Sequence, residues 1–278
     1  MYYTDFVFDG MRLSECGYTI CEFDSAASIK EVSLGSPLNF KTVSTRKGNR
    51  FALVDVSYDT ALEFTFDICK NLCFGTSGQI VESADAAITD QEFLSITRWL
   101  SRNDFRQIYF VDDEPTAVTR YYNGAFSSIS RLEIDDVLYG LRLVFVTDRP
   151  YALGDMVTAS HTFEANGEWT YEDGSYLVGS IVPSLRIQCG ASGTLTLTNY
   201  TTNTRMTIKN CSEDEVITIN GDYFIMSSSI PTHKVWADFN YEFLKICNAY
   251  DQRSNVIKST MPCTVTITYK PIIRDAPR

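Results

Sequence analysis

The chain has 278 residues, with 35 acidic against 24 basic and a formal net charge of -11. That length fits about two domains of ordinary size, and 44% hydrophobic residues with only 8 prolines exclude long disorder. Residues 1 to 150 carry most of the charge (22 acidic, 14 basic, net -8), a surface that repels phosphate backbones and argues against a nucleic-acid-binding protein.

The opening MYYTDFVFDG has no basic start, no apolar core and no small-residue cleavage site, so no secretory signal is expected. No run approaches the roughly 18 apolar residues of a membrane span. The expectation is a protein made in soluble form in a cytoplasm, without a membrane partner. Residues 2 to 23 mix short apolar runs with Asp9-Gly10 and Gly17, which suggests a first hairpin. Residues 33 to 50 are polar, contain Lys41, Arg46, Lys47 and Arg50, and form either a long connection or an extended hairpin arm.

In LEFTFDI, Leu62, Phe64, Phe66 and Ile68 alternate with Glu63, Thr65 and Asp67, the period of a strand with one buried and one wet face. One helix is predicted over Asp90 to Arg102. Thr89 and Glu92 form a capping box, Phe93, Ile96, Thr97 and Leu100 recur at helical spacing beside Trp99, and Arg98 and Arg102 suit the C-terminal end of the dipole. Strands then return as QIYFV, AVTRYY, RLEIDDV and YGLRLVFVT, separated by Asp112-Asp113, Asn123-Gly124 and Asp135-Asp136.

Tyr139 to Thr147 closes the first sheet, and Asp148, Pro150 and Gly154 break regular structure, so Asp148 to Asp155 leads into a second domain. Strands are expected there at Ser184 to Cys189, Thr194 to Asn199, Arg205 to Lys209, Glu215 to Ile219, Tyr223 to Met226 and Cys263 to Tyr269. Asn220-Gly221 marks a two-residue type I′ hairpin turn, because Asn-Gly tolerates the positive φ angles that turn needs. Short strands at this spacing argue for a sandwich. The fold class is mainly β: an α+β domain with one helix over 1–150, and a β-sandwich over 151–278.

Chemistry is sparse. His161 and His233 are the 2 histidines, too few for triads or multi-histidine metal sites, and both are assigned to loops. There is no Walker-type loop and no G-x-G-x-x-G. Asp112-Asp113 and Asp135-Asp136 read as solvated turn formers rather than acid/base pairs, since strand neighbours point to opposite faces. The 8 cysteines (16, 21, 69, 73, 189, 211, 247, 263) contain no C-x-x-C and, without an export signal, read as reduced thiols filling core positions. Asn199-Tyr200-Thr201 and Asn210-Cys211-Ser212 match a glycosylation pattern that means little without a secretory route. Trp169 or Trp236 could offer an aromatic platform to a sugar, though core or subunit contact is the preferred reading. No catalytic, cofactor-binding or metal-binding residue is assigned, no cofactor is expected, and the chain is read as not an enzyme. A hydrolase using scattered carboxylates is the weakest alternative.

The order of elements resembles the distal tail protein (Dit) family of phages with long non-contractile tails. The matching pieces are FVFDG, FTFDI, ITRWLSRND, IYFVDDEP, RYYNG and LRLVFVTDRPYALG in the first half. In the second half they are GTLTLTNYTTNTRMTIKNCSEDEVITINGDYFIM and CTVTITYKP. The resemblance implies a tail-tube-like N-terminal domain and a galectin-like C-terminal β-sandwich, assembled as a homohexameric ring at the end of the tail tube. It implies contacts with the tail tube protein, the tail-tip protein and receptor-binding components, a virion location at the tail tip, and DNA passing through the channel without specific binding. Family members with carbohydrate-binding insertions are longer than this chain. A carbohydrate-binding, lectin-like sandwich protein is the alternative function.

Overall fold

The computed structural model describes residues 3–23, 36–44, 51–72, 83–111, 118–176, 178–248 and 253–273. The chain divides into two compact units, one running to Gly154 and one spanning Asp155–Ile273. It is mainly β with a single α-helix among the described residues. No described helix is long and apolar enough to cross a membrane.

The first unit contains β1 (Asp5–Phe8), β2 (Met11–Arg12), β3 (Tyr18–Cys21), β4 (Leu38–Ser44), β5 (Phe51–Tyr58), β6 (Glu63–Lys70), α1 (Asp90–Leu100), β7 (Arg106–Val111), β8 (Tyr121–Ile134), β9 (Val137–Thr147) and β10 (Ala152–Leu153). Its main sheet runs β2-β1-β7-β8-β9-β6-β3, antiparallel throughout. The sheet curls so that its last strand, β3, approaches the start of β1: the Ile20 N–H donates to Thr4 O at 2.9 Å. Among the described residues, strands β4 and β5 pair only with each other and form a separate ribbon.

Aromatic side chains fill this unit because β1, β6, β7 and β9 each turn a phenylalanine inward. Phe6, Phe8, Phe64, Phe66, Phe110 and Phe145 are buried, and neighbouring rings meet edge to face, as Phe8 and Phe145 do at 6.1 Å. The helix has the predicted capping box: Thr89 Oγ1 accepts from Glu92 N–H, and Glu92 returns the bond to Thr89 N–H at 2.8 Å. It docks through Trp99, which stacks on Phe6 at 5.8 Å and donates its Nε1–H to Phe8 O at 3.3 Å.

The second unit contains β11 (Val157–Phe163), β12 (Glu168–Glu172), β13 (Gly179–Ile181), β14 (Ser184–Cys189), β15 (Gly193–Asn199), β16 (Thr204–Cys211), β17 (Val216–Asn220), β18 (Ile225–Ser228), β19 (Ile246–Asn248), β20 (Ser254–Ser259), β21 (Cys263–Tyr269) and β22 (Ile272–Ile273). A five-stranded sheet, β11-β21-β14-β17-β18, faces a four-stranded one, β12-β20-β15-β16. One core joins them, with Leu185, Ile187, Val265 and Ile267 from the first sheet and Leu197, Met206, Ile208 and Ile257 from the second. The period of two puts hydroxyls on the outer face of the five-stranded sheet, where Ser160 and Thr266 share a hydrogen bond of 3.1 Å across β11 and β21.

Several expectations are corrected. Asn123-Gly124 does not separate strands; it lies inside β8, and a Cβ on Gly124 would stand 2.1 Å from Val146 O. The glycine is there for close backbone approach. Asn220-Gly221 does not make a two-residue turn either. Asn220 pairs with Ile225, the intervening loop has its positive φ at Phe224 (55°), and Gly221 again serves close approach, since a Cβ there would stand 2.1 Å from Val182 O. Asp67 does not face water: it is buried and held by Arg142 through two bonds of 2.8 and 2.9 Å. By contrast, Asp9-Gly10 (φ 50° and 77°) and Asp135-Asp136 (φ 51° and 63°) are two-residue turns with both residues left-handed. Asp112-Asp113 lies outside the described residues. The described cysteines are all free; Cys189, Cys211 and Cys263 are buried and Cys16, Cys21, Cys69 and Cys247 half-buried.

Candidate assembly surface

The surface feature that stands apart is the β4–β5 ribbon. Its register pairs Phe40 with Val56, Thr42 with Leu53 and Ser44 with Phe51, while a bulge at Lys41/Thr42 absorbs Val54. Directly opposed residues share a face, so Phe40, Val56, Leu53 and Phe51 lie together on one side, and Asn39, Ser57, Lys41 and Asp55, with Val43 and Ala52 beyond the bulge, on the other. The apolar side is uncovered: Phe40 is 57%, Phe51 69%, Leu53 57% and Val56 44% exposed. An isolated two-stranded ribbon is marginal in water. This one presents a contiguous apolar stripe of the kind that marks an interaction site.

The stretch expected to be polar is therefore amphipathic, and the extended-arm alternative is the one realised over the described part; residues 33–35 and 45–50 lie outside it. The signal for the second strand of the arm lies in FALVDVSY, whose apolar run directly follows the polar stretch.

A second exposed cluster lies on the sandwich. Trp236, 37% exposed, stacks on Tyr241 at 6.2 Å and meets Phe243 at 6.4 Å, and Phe243 meets Phe224 at 5.1 Å. Trp169 is different: it is half-buried, stacked on His161 at 5.2 Å and packed against the core. His161 thus sits in β11, which corrects its loop assignment.

His233 is in a loop, as expected, but is not a solvent-exposed residue. Its Nδ1 lies 2.5 Å from Glu215 Oε1 and its Nε2 3.3 Å from Asp238 Oδ2, with side-chain exposures of 6% for His233 and 0% for Glu215. Ser228 Oγ also donates to Glu215, and the Ser212 N–H reaches its other oxygen at 2.8 Å. Burial alone would push His233 down, but the hydrogen bond and charge of Glu215 outweigh it and hold the imidazole above its ordinary value. Burial would likewise raise Glu215, and its donors Ser228, His233 and Ser212 lower it instead. This trio is a structural clasp, because Ser228 bonds to the carboxylate and not to the imidazole, so no base addresses a nucleophile.

A cavity of about 800 Å³ lies against α1, lined by Tyr18, Lys70, Ile96, Arg98 and Trp99 among others. Of its two carboxylates, Asp85 and Glu92, Glu92 is engaged with Lys70 at 2.9 Å and with the helix cap. Tyr18 Oη is buried without a partner, and burial pushes the phenol up to about 12. No group of three or more His, Cys, Asp or Glu side chains placed to hold a metal ion occurs among the described residues.

Strand-rich units, an amphipathic arm with an open apolar side and polar clusters that satisfy one another are the attributes of a protein that works by assembly. The comparisons agree. Residues 1–149 match the family described as "Phage tail protein N-terminal domain", and residues 151–269 match its "Phage tail C-terminal domain". The chain belongs to this family of phage tail proteins. No curated protein matches it. Among solved structures, it shares its fold with the Dit (gp 19.1) protein of phage SPP1, titled a paradigm of the hub adsorption apparatus in phages infecting Gram-positive bacteria. Identity is 14% and the TM-score 0.64, with 97% of this chain and 99% of that one covered. Two structures of the phage P2 baseplate in its activated conformation, with Ca and with Sr, each align at 10% identity and TM-score 0.45. They cover 97% and 96% of this chain and 99% and 98% of theirs.

Proposed function

We propose that the protein is the distal tail subunit of a phage with a long non-contractile tail. Six copies form a ring at the end of the tail tube, and the ring is the hub for tail-tip and receptor-binding components. Residues 1–150 act as the tail-tube-like, ring-forming domain next to the tube protein, and 151–278 as a galectin-like outer domain. The subunit is made in the host cytoplasm and works at the tail tip. It is not an enzyme and needs no cofactor, metal or catalytic residue.

The observation that carries this reading is the open apolar side of the β4–β5 arm, formed by Phe40, Phe51, Leu53 and Val56, in a chain of the phage tail family. A neighbouring copy that covers this stripe removes it from water. The acidic surplus of residues 1 to 150 suits the inner wall of a channel, because like charge lowers the affinity for phosphate that basic residues supply, and DNA passes without binding.

Light scattering of the purified chain tests the reading. The expected mass is six times 31.4 kDa, or two stacked rings, with a central hole in negative stain. A strictly monomeric species at high concentration overturns it. Deleting Asn39 to Gly48 is expected to open the ring, and intact rings after the deletion reject the arm as its contact.

The exposure of Trp236 beside Tyr241 favours one second reading, a lectin-like sandwich. Binding on a glycan array that is abolished by Trp236→Ala, in a protein that stays monomeric, is the result that selects it.

A further inference from the structure

We propose that Asn166, in the turn between β11 and β12, is a site of spontaneous deamidation. Its side-chain amide is lost through a succinimide ring that forms with the Gly167 nitrogen. The modification depends neither on ring assembly nor on any partner.

Such a ring closes most readily where a glycine follows the asparagine, because no Cβ obstructs the approach of the main-chain nitrogen. It also needs a carboxamide free to turn and water at the site. The sequence has Asn-Gly at Asn123, Asn166 and Asn220, and the fold treats the three differently. Asn123 lies within β8, where Gly124 is opposite Arg106 of β7 on one side and Thr147 of β9 on the other, and Asn123 Nδ2 donates to Asp148 Oδ2 at 2.9 Å. At Asn220, Oδ1 accepts from the N–H groups of Asp222 and Tyr223, each at 3.0 Å, and the Gly221 N–H donates to Ser184 Oγ at 3.1 Å. In both, the attacking nitrogen and the carboxamide are held.

Asn166 is exposed at the left-handed position (φ 60°) of the turn from Glu164 to Gly167, and its carboxamide has no hydrogen-bond partner among the described residues. The Gly167 N–H donates to Glu164 O at 2.9 Å, a turn bond whose opening breaks no β ladder. The two Asp-Gly steps, which close the same ring with a poorer leaving group, are restrained. Asp9 pairs with Arg102 at 3.0 Å, and Asp173 is buried and accepts from the Tyr269 hydroxyl at 2.7 Å.

Solvent is the only co-reactant. Hydroxide takes the Gly167 amide proton, and the nitrogen attacks Asn166 Cγ. The N–Cγ bond forms, the Cγ–Nδ2 bond breaks, and ammonia leaves with a proton from water. Water then opens the ring, with no change of oxidation state. Breaking the bond from Cγ to the nitrogen gives aspartate. Breaking the bond from the main-chain carbonyl gives isoaspartate, whose main chain runs through Cβ and Cγ and is one carbon longer. Either product adds a negative charge to a chain of net charge -11.

The place of the turn gives isoaspartate a consequence. β11 belongs to the five-stranded sheet and β12 to the four-stranded one, so the turn links the layers. Gly167 O accepts from the N–H of buried Ser259 at 3.1 Å, beside the first pair of the β12–β20 ladder. The extra carbon displaces Gly167 from that bond, whereas aspartate leaves the main chain as it was.

The full chain is incubated folded, in mildly alkaline and mildly acidic buffer, and unfolded in urea. Its peptides are mapped by mass spectrometry with fragmentation that separates aspartate from isoaspartate. In the folded chain Asn166 is expected to lose its amide first, faster at the higher pH, with Asn123 and Asn220 behind; in urea the three sites converge. Equal loss at the three sites of the folded chain, loss led by Asn123 or Asn220, or an intact Asn166 where the unfolded chain converts overturns the assignment. Hydrogen exchange at the Ser259 amide is expected to quicken in the isoaspartate fraction and to stay unchanged in Asn166→Asp, which carries the charge on a normal main chain. Unchanged exchange in the isoaspartate fraction rejects the coupling of the turn to the β12–β20 ladder.

Discussion

Replacing His233 by alanine removes the counter-charge of a carboxylate whose side chain is 0% exposed. Glu215 keeps two donors, Ser228 Oγ and the Ser212 N–H, but no cation. Breaking a buried pair from one side costs about 3 to 5 kcal/mol, and the surviving donors place this case near about 3 kcal/mol, roughly a 150-fold change in a local opening equilibrium. The opening segment is the loop after β18, anchored by Ser229 N–H to Val216 O (2.9 Å) and Asn240 N–H to Thr207 O (3.1 Å).

Hydrogen exchange read at those two amides, corrected for intrinsic rates, is the assay. The raised imidazole contributes stability that is complete below its ordinary value of 6.5 and is lost as pH rises through its folded value. The lowered carboxylate contributes stability present above 4.5 and lost as pH falls through its own folded value. Protection in the wild type therefore declines on the alkaline side, and Glu215→Gln, which cannot pair with a cation, flattens that decline. Unchanged protection in His233→Ala, or protection that grows as the imidazole deprotonates, refutes the reasoning.

The other expectations concern packing. Gly124→Ala forces a methyl into Val146 O, a backbone atom that cannot step aside, and should cost about 3 kcal/mol or more in denaturant unfolding of the first unit. Gly10→Ala meets nothing within 4 Å and suffers only its φ of 77°, about 1 kcal/mol, so equal losses at the two sites would contradict the distinction. Tyr18→Phe deletes a buried hydroxyl without a partner and should raise the unfolding midpoint, by about 1 kcal/mol of stability; a fall shows that the hydroxyl is satisfied in solution. Leu53→Asp puts a charge on the arm's apolar side and should abolish assembly while leaving the circular dichroism of the folded chain intact.

What could be read from the residues was whatever local chemistry decides alone. The capping box at Thr89 and Glu92, the left-handed turns at Asp9-Gly10 and Asp135-Asp136, and the alternation of β14 and β21 are short-range, and they stand where the pattern put them. Asn123-Gly124 and Asn220-Gly221 have the same local chemistry as a turn, yet the glycines answer to Val146 and Val182, which only the folded chain brings near. SNVIKS escaped notice because its inward positions Asn255 and Ser259 are polar, so its alternation carries little apolar signal, whereas EWTYE and VTASHTF turn Trp169, Tyr171 and Phe163 inward from among Glu, Thr and Ser. His233 escaped for a related reason: its partner Glu215 belongs to the turn before β17, and nothing in their spacing announces a buried pair.

The arm also determines what kind of assembly can form. In the proposed ring the apolar stripe of one copy meets a different surface of the next, a heterologous contact, and such contacts run head to tail until a rotation closes them. A ribbon whose longer strand has 8 residues reaches about 26 Å at roughly 3.3 Å per residue, enough to cross onto an adjacent subunit without either body being remodelled. The apolar stripe supplies adhesion but not closure. A ladder of sizes that grows with concentration would mean an open chain, whereas one discrete species, unchanged on dilution, would mean that the angle between neighbours divides the circle. The stoichiometry thus reports the geometry of the docked arm, and the loss of assembly in Leu53→Asp reports its chemistry.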